Sequence, residues 1–209
     1  MRAFFLSAEL RNGGEDVFCE FEITNGEYSE KRSVTLYADD FLKYKLATGE
    51  IEPELLDAIF RDDRIYAAVK KGINLLGYCA SSRKNMVLKL KAKGFGGEVA
   101  AEAAKILCKR GFIDENKDAA RLAEISMAKL WGKKRIAAYL FEKGYGEKVV
   151  SSVIDELDEE EMTANCVCLI EKKFGEIPAD RAEREKMYAF LVRYGYNGDT
   201  IKAAISQMK

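Results

Sequence analysis

The apolar positions of the first fifty residues follow a strand pattern, whereas those of the remaining chain recur at helical spacing. The segments VFCEFEI and RSVTLY concentrate β-branched and aromatic side chains on either side of TNGEYSEK, which is rich in turn-forming residues. This arrangement predicts a β-hairpin within a small β-rich extension. Two or three strands are expected before about residue 38.

A short helix is predicted between the hairpin and the helical body, within ADDFLKYKLATGEI. Asp39 or Asp40 is expected to cap its first turn, because a carboxylate there accepts a hydrogen bond from an unpaired backbone amide. Gly49 is expected to stop this helix. Pro53 is expected to open the next helix, where its missing N–H costs nothing.

The helical body contains an internal repeat. The segments KLKAKGFGGEVAAEAAKIL, YLFEKGYGEKVVSSVIDEL and FLVRYGYNGDTIKAAISQM align without gaps, and their glycines Gly94, Gly144 and Gly195 are fifty and fifty-one residues apart. Each glycine is expected to end a helix in a left-handed Schellman turn, in which the next residue packs on a leucine four positions before the glycine. Gly111 repeats the pattern. The predicted pairs are Leu90 with Phe95, Leu107 with Phe112, Leu140 with Tyr145, and Leu191 with Tyr196.

Each repeat is predicted to contain a long first helix, a middle helix that ends at the glycine, and an amphipathic third helix. The expected fold class is mainly α, with three tandem three-helix repeats stacked into an elongated, curved array after the β-rich N-terminal extension. The predicted boundaries are residues 1–53 for the extension and residues 54–111, 112–157 and 158–209 for the repeats. Trp131, at a helix junction, is expected to anchor packing rather than to stack on a base.

Several classes of function are disfavoured by what the chain lacks. It has no histidine, which removes Ser-His-Asp and Cys-His catalysis, and it has no Gly-rich phosphate-binding motif. A non-enzymatic protein without cofactor or metal is therefore expected, and a hydrolase with unrecognised carboxylates is the remote alternative. Cys166 and Cys168 form a C-x-C, but residues two apart on a helix point to different sides, which favours a core role.

The expected location is the cytoplasm, without membrane association. No apolar run is long enough to span a bilayer, and MRAFFLSAELRNGG becomes charged too early for a signal peptide. The five cysteines are an odd number and lie mostly in apolar helical segments. A reducing compartment suits such thiols.

The joint spacing of these features resembles the RecX family of recombination regulators. The resemblance is carried by RKNMVLKLKAKGF in the first repeat and by GFIDENKDAARLAEISMAKLWGKKRIAAYLFEKGY, which spans the second. These segments reproduce G-[FL]-[IL]-D-[DE], a long helix, and a basic stretch that leads to K-G and an aromatic residue. The similarity covers the helical body from about Leu55 to Met208.

The resemblance implies a regulator of homologous recombination and the SOS response that is not an enzyme. Such a protein binds the RecA recombinase filament, together with the single- or double-stranded DNA inside it, and mainly inhibits its ATPase and strand exchange. A monomer is expected, because the polar outer face of a terminal repeat need not be buried. The alternative is a DNA-binding helical-repeat protein that acts without RecA, which a steep loss of affinity with salt would distinguish.

Charge is distributed unevenly, although the net charge is only −1. Residues 1–53 carry 6 basic and 11 acidic groups, whereas residues 54–111 carry 12 and 6. Basic residues recur at the starts of the middle helices, where they oppose the positive end of the helix dipole; they predict a binding stripe on one side of the array, and a solvated helix face is the alternative. The candidate partner- or DNA-binding residues are Arg83, Lys84, Lys89, Lys133, Lys134 and Arg135.

Overall fold

The computed structural model describes residues 2–208 and contains two compact units. The first unit runs to Cys79 and includes Met86–Phe112, and the second contains Ala80–Asn85 and continues from Ile113. The strands are β1 Arg2–Arg11, β2 Asp16–Thr24, β3 Ser29–Tyr37 and β4 Gly49–Ile51. The α-helices are α1 Ala38–Tyr44, α2 Pro53–Leu76, α3 Arg83–Ala92, α4 Gly97–Lys109, α5 Glu115–Met127, α6 Lys133–Glu142, α7 Glu147–Asp155, α8 Glu159–Phe174, α9 Arg181–Arg193 and α10 Gly198–Gln207.

The four strands form one antiparallel sheet in the order β3-β2-β1-β4. β2 and β3 form the predicted hairpin, with Val17 opposite Leu36, and the expectation of two or three strands before residue 38 is confirmed. The pairing register of β1 with β2 shifts between Phe5 and Ser7, which disturbs the alternation that would have marked β1 as a strand. One face of the sheet packs on α2.

The predicted cap and stop of α1 are both wrong. Asp39 and Asp40 lie inside its first turn, where a carboxylate stabilises a helix through its dipole without making the capping hydrogen bond. The helix ends at Tyr44, well before Gly49. Gly49 has a φ of 134° and pairs with Phe5 as the first residue of β4, so it begins a strand instead of ending a helix.

Three helix triplets follow, α2–α4, α5–α7 and α8–α10, and the mainly α fold class is confirmed. Pro53 opens α2 as predicted. Asp114 and Asp158 cap α5 and α8, since their carboxylates accept hydrogen bonds from amides of the first turns. In the second unit, α5–α7 supply most of one apolar cluster, which also includes Met162 of α8, and α8–α10 supply most of another. Among residues 2–208, no helix is long and apolar enough to cross a membrane.

The predicted Schellman turns are present at the ends of the middle helices. The φ values of Gly94, Gly144 and Gly195 are 89°, 83° and 97°. In each turn the amide after the glycine donates to the carbonyl oxygen of the predicted leucine, over 3.1 to 3.2 Å, and that leucine is buried. The turn at Gly111, with a φ of 75°, has the same hydrogen bond, so local sequence determines where these helices end.

Candidate partner-binding surface

The C-terminal turn of α9 lies directly on the N-terminus of α6. The amide of Gly132 donates to the carbonyl oxygen of Tyr194 over 2.9 Å, and the amide of Lys134 donates to the carbonyl oxygen of Gly195 over 3.0 Å. These bonds satisfy amides that a first helical turn leaves unpaired, and they bring opposite ends of two helix dipoles together. A Cβ on Gly132 would lie 2.4 Å from the carbonyl carbon of Gly195, so the contact requires glycine.

The N-terminal turn of α3 forms a related joint with the C-terminal turn of α6. The buried Ser82 hydroxyl donates to the carbonyl oxygen of Lys143 over 2.8 Å and accepts from the amide of Asn85 over 3.2 Å. A Cβ on Gly144 would lie 2.9 Å from the Ser82 Oγ. Because Gly144 is the repeat equivalent of Gly195, the same kind of end-to-end joint occurs twice within the second unit.

Arg135 is held at the α6–α9 joint by two aromatic rings. Its guanidinium carbon lies 4.2 Å from the centroid of the Trp131 ring and 4.9 Å from that of Tyr194. Trp131 also meets the Tyr139 ring edge-on, with 5.5 Å between centroids, and it packs against the core of its own repeat. Trp131 thus has the packing contacts that its position at a helix junction predicts.

Lys133 has a structural partner as well. Its Nζ lies 2.7 Å from Oε1 of Glu159, at the start of α8, and its side chain is only 19% exposed. The sequence predicts that Lys133 and Arg135 oppose the helix dipole and serve binding, and the structure adds an ion pair for Lys133 and a ring contact for Arg135. Long-range contacts compensate both cations, whereas a sequence pattern reports only the local cost of placing them at a helix N-terminus.

The side chains of Arg83, Lys84 and Lys134 are exposed at the two joints. The Lys84 Cβ lies 3.5 Å from the position of a Cβ on Gly144. Oε1 of Glu115 accepts a hydrogen bond from the amide of Arg83 over 2.9 Å, and this carboxylate offsets the unfavourable cations at the start of α3. These three basic side chains are therefore placed where a partner can reach them.

Lys89 belongs to the first unit, unlike the other five candidates. Its side chain is half-buried, and its Nζ lies 3.4 Å from the Sγ of Cys79. The structure thus gathers five of the six candidate residues at the two joints of the second unit and places Lys89 elsewhere along α3. Their role in binding stays a prediction.

The middle helices differ from the other helices in charge. α3 has four basic and no acidic residues, α6 has three basic and one acidic, and α9 has four basic and two acidic. All the remaining α-helices within residues 2–208 are neutral or net acidic. The positive charge of the repeats is therefore concentrated on one element of each triplet, which is the pattern of a surface that meets negative charge.

The two cysteines of the predicted C-x-C, Cys166 and Cys168, are free thiols on α8. Cys166 is fully buried, and burial raises the pKa of its thiol to about 12, so it remains protonated near neutral pH. Cys168 is half-buried on the same helix. In the described part of the chain, no group of three or more cysteine and carboxylate side chains is positioned to hold a metal ion.

Sequence reasoning missed two kinds of residue at this surface. Ser82 and Glu159 stabilise the joints through long-range contacts that no local pattern reveals. Phe141 and Val192 are large apolar residues with exposed side chains, and a signal for them did exist. They are fifty-one residues apart, the same offset as Gly144 and Gly195, so the repeat alignment places them at one equivalent position.

Arg135→Ala is expected to lower the free energy of unfolding by about 1 to 2 kcal/mol, because a partly desolvated cation over aromatic rings contributes on this order. Arg135→Lys should recover only part of the loss, since an ammonium lacks the planar stacking of guanidinium. Urea unfolding followed by circular dichroism measures both. Lys134→Ala is the control and should change stability by less than about 0.5 kcal/mol; equal losses at positions 134 and 135 would contradict the packing role.

Comparison with known proteins gives a consistent result. The family described as "RecX, third three-helix domain" matches residues 159–205, which run from α8 into α10. The regulatory protein RecX of Stenotrophomonas maltophilia strain R551-3 is 30% identical over 145 residues, which cover 69% of this chain and 88% of that protein. That of Xanthomonas campestris pv. campestris strain B100 is 31% identical over 137 residues, covering 65% and 84%.

The fold is also similar to that of a solved RecX structure. A crystal structure of regulatory protein RecX superposes with a TM-score of 0.77 at 20% identity, covering 98% of this chain and 99% of the other. At this identity the likeness concerns the fold alone, whereas the sequence relatives match at 30% identity or more across most of their length. The chain therefore belongs to the RecX family of regulatory proteins.

Proposed function

We propose that the chain binds the RecA–DNA filament and lowers its ATP hydrolysis and strand exchange without catalysing a reaction itself. Membership of a family of regulatory proteins named RecX supports this proposal. Such a regulator acts in homologous recombination and the SOS response, in the cytoplasm, and as a monomer.

The observation that carries the proposal is the concentration of positive charge on the middle helices. Within the second unit, two end-to-end joints fix the first turn of α3 and the helices α6 and α9 relative to one another. The basic side chains at the starts of α3 and α6 are therefore held in fixed positions relative to each other. A filament repeats its acidic and phosphate groups at fixed intervals, so several weak contacts add through effective concentration.

The second candidate function is binding to DNA without RecA. The four basic and no acidic residues of α3 favour it, because lysine and arginine on an exposed helix neutralise phosphates whether or not a recombinase is present. The two functions differ in what must be present for binding. A filament regulator requires the recombinase at physiological salt, whereas a DNA-only binder does not.

Titration against the ATP hydrolysis of RecA on single-stranded DNA tests the proposed function. Inhibition should saturate at a fixed ratio of chain to filament protomers, because a binding protein acts stoichiometrically and turns nothing over. The control is an unrelated ATPase that requires single-stranded DNA, under the same conditions. Equal inhibition of both enzymes would mean that the chain only sequesters DNA and would contradict the proposal.

A further inference from the structure

The middle helices of the second unit expose apolar side chains as well as charged ones. Phe141 on α6 and Tyr188 and Val192 on α9 are 49%, 42% and 43% exposed. Large apolar residues in the same helices, Leu140 and Leu191 among them, are fully buried. The exposed side chains therefore lie outside the core face of each helix, and water contacts almost half of their surface.

Two of these apolar residues, Phe141 and Val192, occupy equivalent positions in consecutive repeats. Phe141 and Val192 each precede the glycine of the Schellman turn by three residues. Ala138 and Ala189 are also equivalent and exposed, and Tyr188 and Val192 lie four residues apart, on one side of α9. We call Ala138, Phe141, Tyr188, Ala189 and Val192 the apolar row.

The apolar row rests on a rigid base. α6 and α9 are joined end to end at Gly132 and Gly195, where two backbone hydrogen bonds of 2.9 and 3.0 Å connect them, and the Arg135 side chain fills the space between Trp131 and Tyr194. A preorganised surface loses little conformational entropy on binding, which favours affinity.

We propose that the apolar row is a docking surface for a protein partner that presents an apolar recess with an acidic rim. The inference rests on the proposed function, in which this partner is a recombinase protomer of the filament. Exposed Lys134 and Arg193 accompany the row, and α6 and α9 are both net basic. Charge complementarity therefore selects an acidic surface, and the aromatic residues supply the contact area typical of interface hot spots.

The composition of the row favours a protein over the bases of nucleic acid. Nucleic-acid stacking surfaces combine aromatic rings with uninterrupted positive charge. Here exposed Glu142 follows Phe141, and exposed Glu185 lies three residues before Tyr188. These carboxylates interrupt the positive charge around the row, and Glu185 is paired with Arg181, 3.1 Å away, whereas a stacking surface for nucleic acid needs continuous positive charge. The aliphatic Val192 and the two alanines add area without a stacking face.

The test is co-sedimentation of a double variant, Phe141→Ala with Val192→Ala, with RecA filaments at physiological salt. Alanine keeps the helices, because it has the highest helix propensity. Affinity should fall by roughly tenfold or more, while the dependence on salt stays as in the parent, since no charge changes. The matched control is Leu42→Ala with Ile125→Ala, two exposed apolar residues on α1 and α5, which should bind like the parent.

Three outcomes overturn the inference, and they are distinguishable. Parent-like filament binding by the double variant, with an unchanged circular dichroism spectrum, would exclude the apolar row and leave the proposed function intact. An equal loss of affinity for bare single-stranded DNA would identify a base-stacking surface instead. Absence of filament binding by the parent would remove the proposed function together with the inference. Restored binding in Phe141→Leu with Val192→Ile would support an apolar contact.

Discussion

Gly195→Val is expected to lower the free energy of unfolding by about 3 kcal/mol, the largest stability effect of any single substitution considered. Two causes add. Gly195 has a φ of 97°, a conformation that costs a side chain roughly 1 to 2 kcal/mol. Its Cβ would also lie 2.4 Å from the amide nitrogen of Arg135, and because this neighbour is backbone, α6 and α9 would have to separate.

Gly94→Val is the matched control for this substitution. Gly94 has a φ of 89° in the equivalent turn of the first repeat, but no atom lies within 4 Å of its Cβ position. Its loss should therefore be limited to the backbone cost of about 1 to 2 kcal/mol. Gly144→Val should lie between the two, because it meets the Ser82 hydroxyl. Equal losses at positions 94 and 195 in urea unfolding would contradict a tight α6–α9 joint.

Lys84→Glu combined with Lys134→Glu is expected to have the largest effect on binding. Both side chains are exposed at the starts of middle helices, where acidic residues suit the helix dipole, so stability should stay unchanged or rise slightly. Filament affinity should fall by roughly tenfold or more, and the dependence of log affinity on log salt should flatten by about two if both lysines meet phosphates. Co-sedimentation at several salt concentrations measures both quantities.

The control for this pair is Lys105→Glu combined with Lys202→Glu. These lysines are also exposed, but they lie on the third helices α4 and α10, and the variant has the same net charge. If both double variants lost affinity equally, only net charge would matter, and the middle helices would have no special role. Lys133 and Arg135 are left unchanged because their contacts with Glu159 and Trp131 would confound the result.

The features that the sequence predicted correctly are those determined by residues close together along the chain. A Schellman turn requires a residue that tolerates positive φ and an apolar pair five residues apart, and both are readable within six positions. The turn after α5 shows the limit. Leu130 has a φ of 59°, and the amide of Trp131 donates to the carbonyl oxygen of Ser126 over 3.2 Å. A Schellman turn therefore forms there without a glycine, so the sequence pattern did not predict it.

The features that sequence did not predict depend on distant partners. Nothing near Gly132 indicates that it meets Gly195, and nothing near Lys133 indicates its pairing with Glu159. The edge strand β4 likewise depends on a distant partner, because Gly49–Ile51 pairs with β1. At the candidate site, the basic residues were predictable from their recurrence, whereas the joints that support them required the tertiary structure.

Co-sedimentation of the unmodified chain tests the proposed function most directly. The chain is incubated at physiological salt with RecA filaments formed on single-stranded DNA and, separately, with the same DNA alone. A filament regulator should appear in the pellet with the filaments, at a fixed ratio to RecA protomers, and should remain in the supernatant with bare DNA. Equal recovery with bare DNA, or no recovery with the filaments, would contradict the proposal.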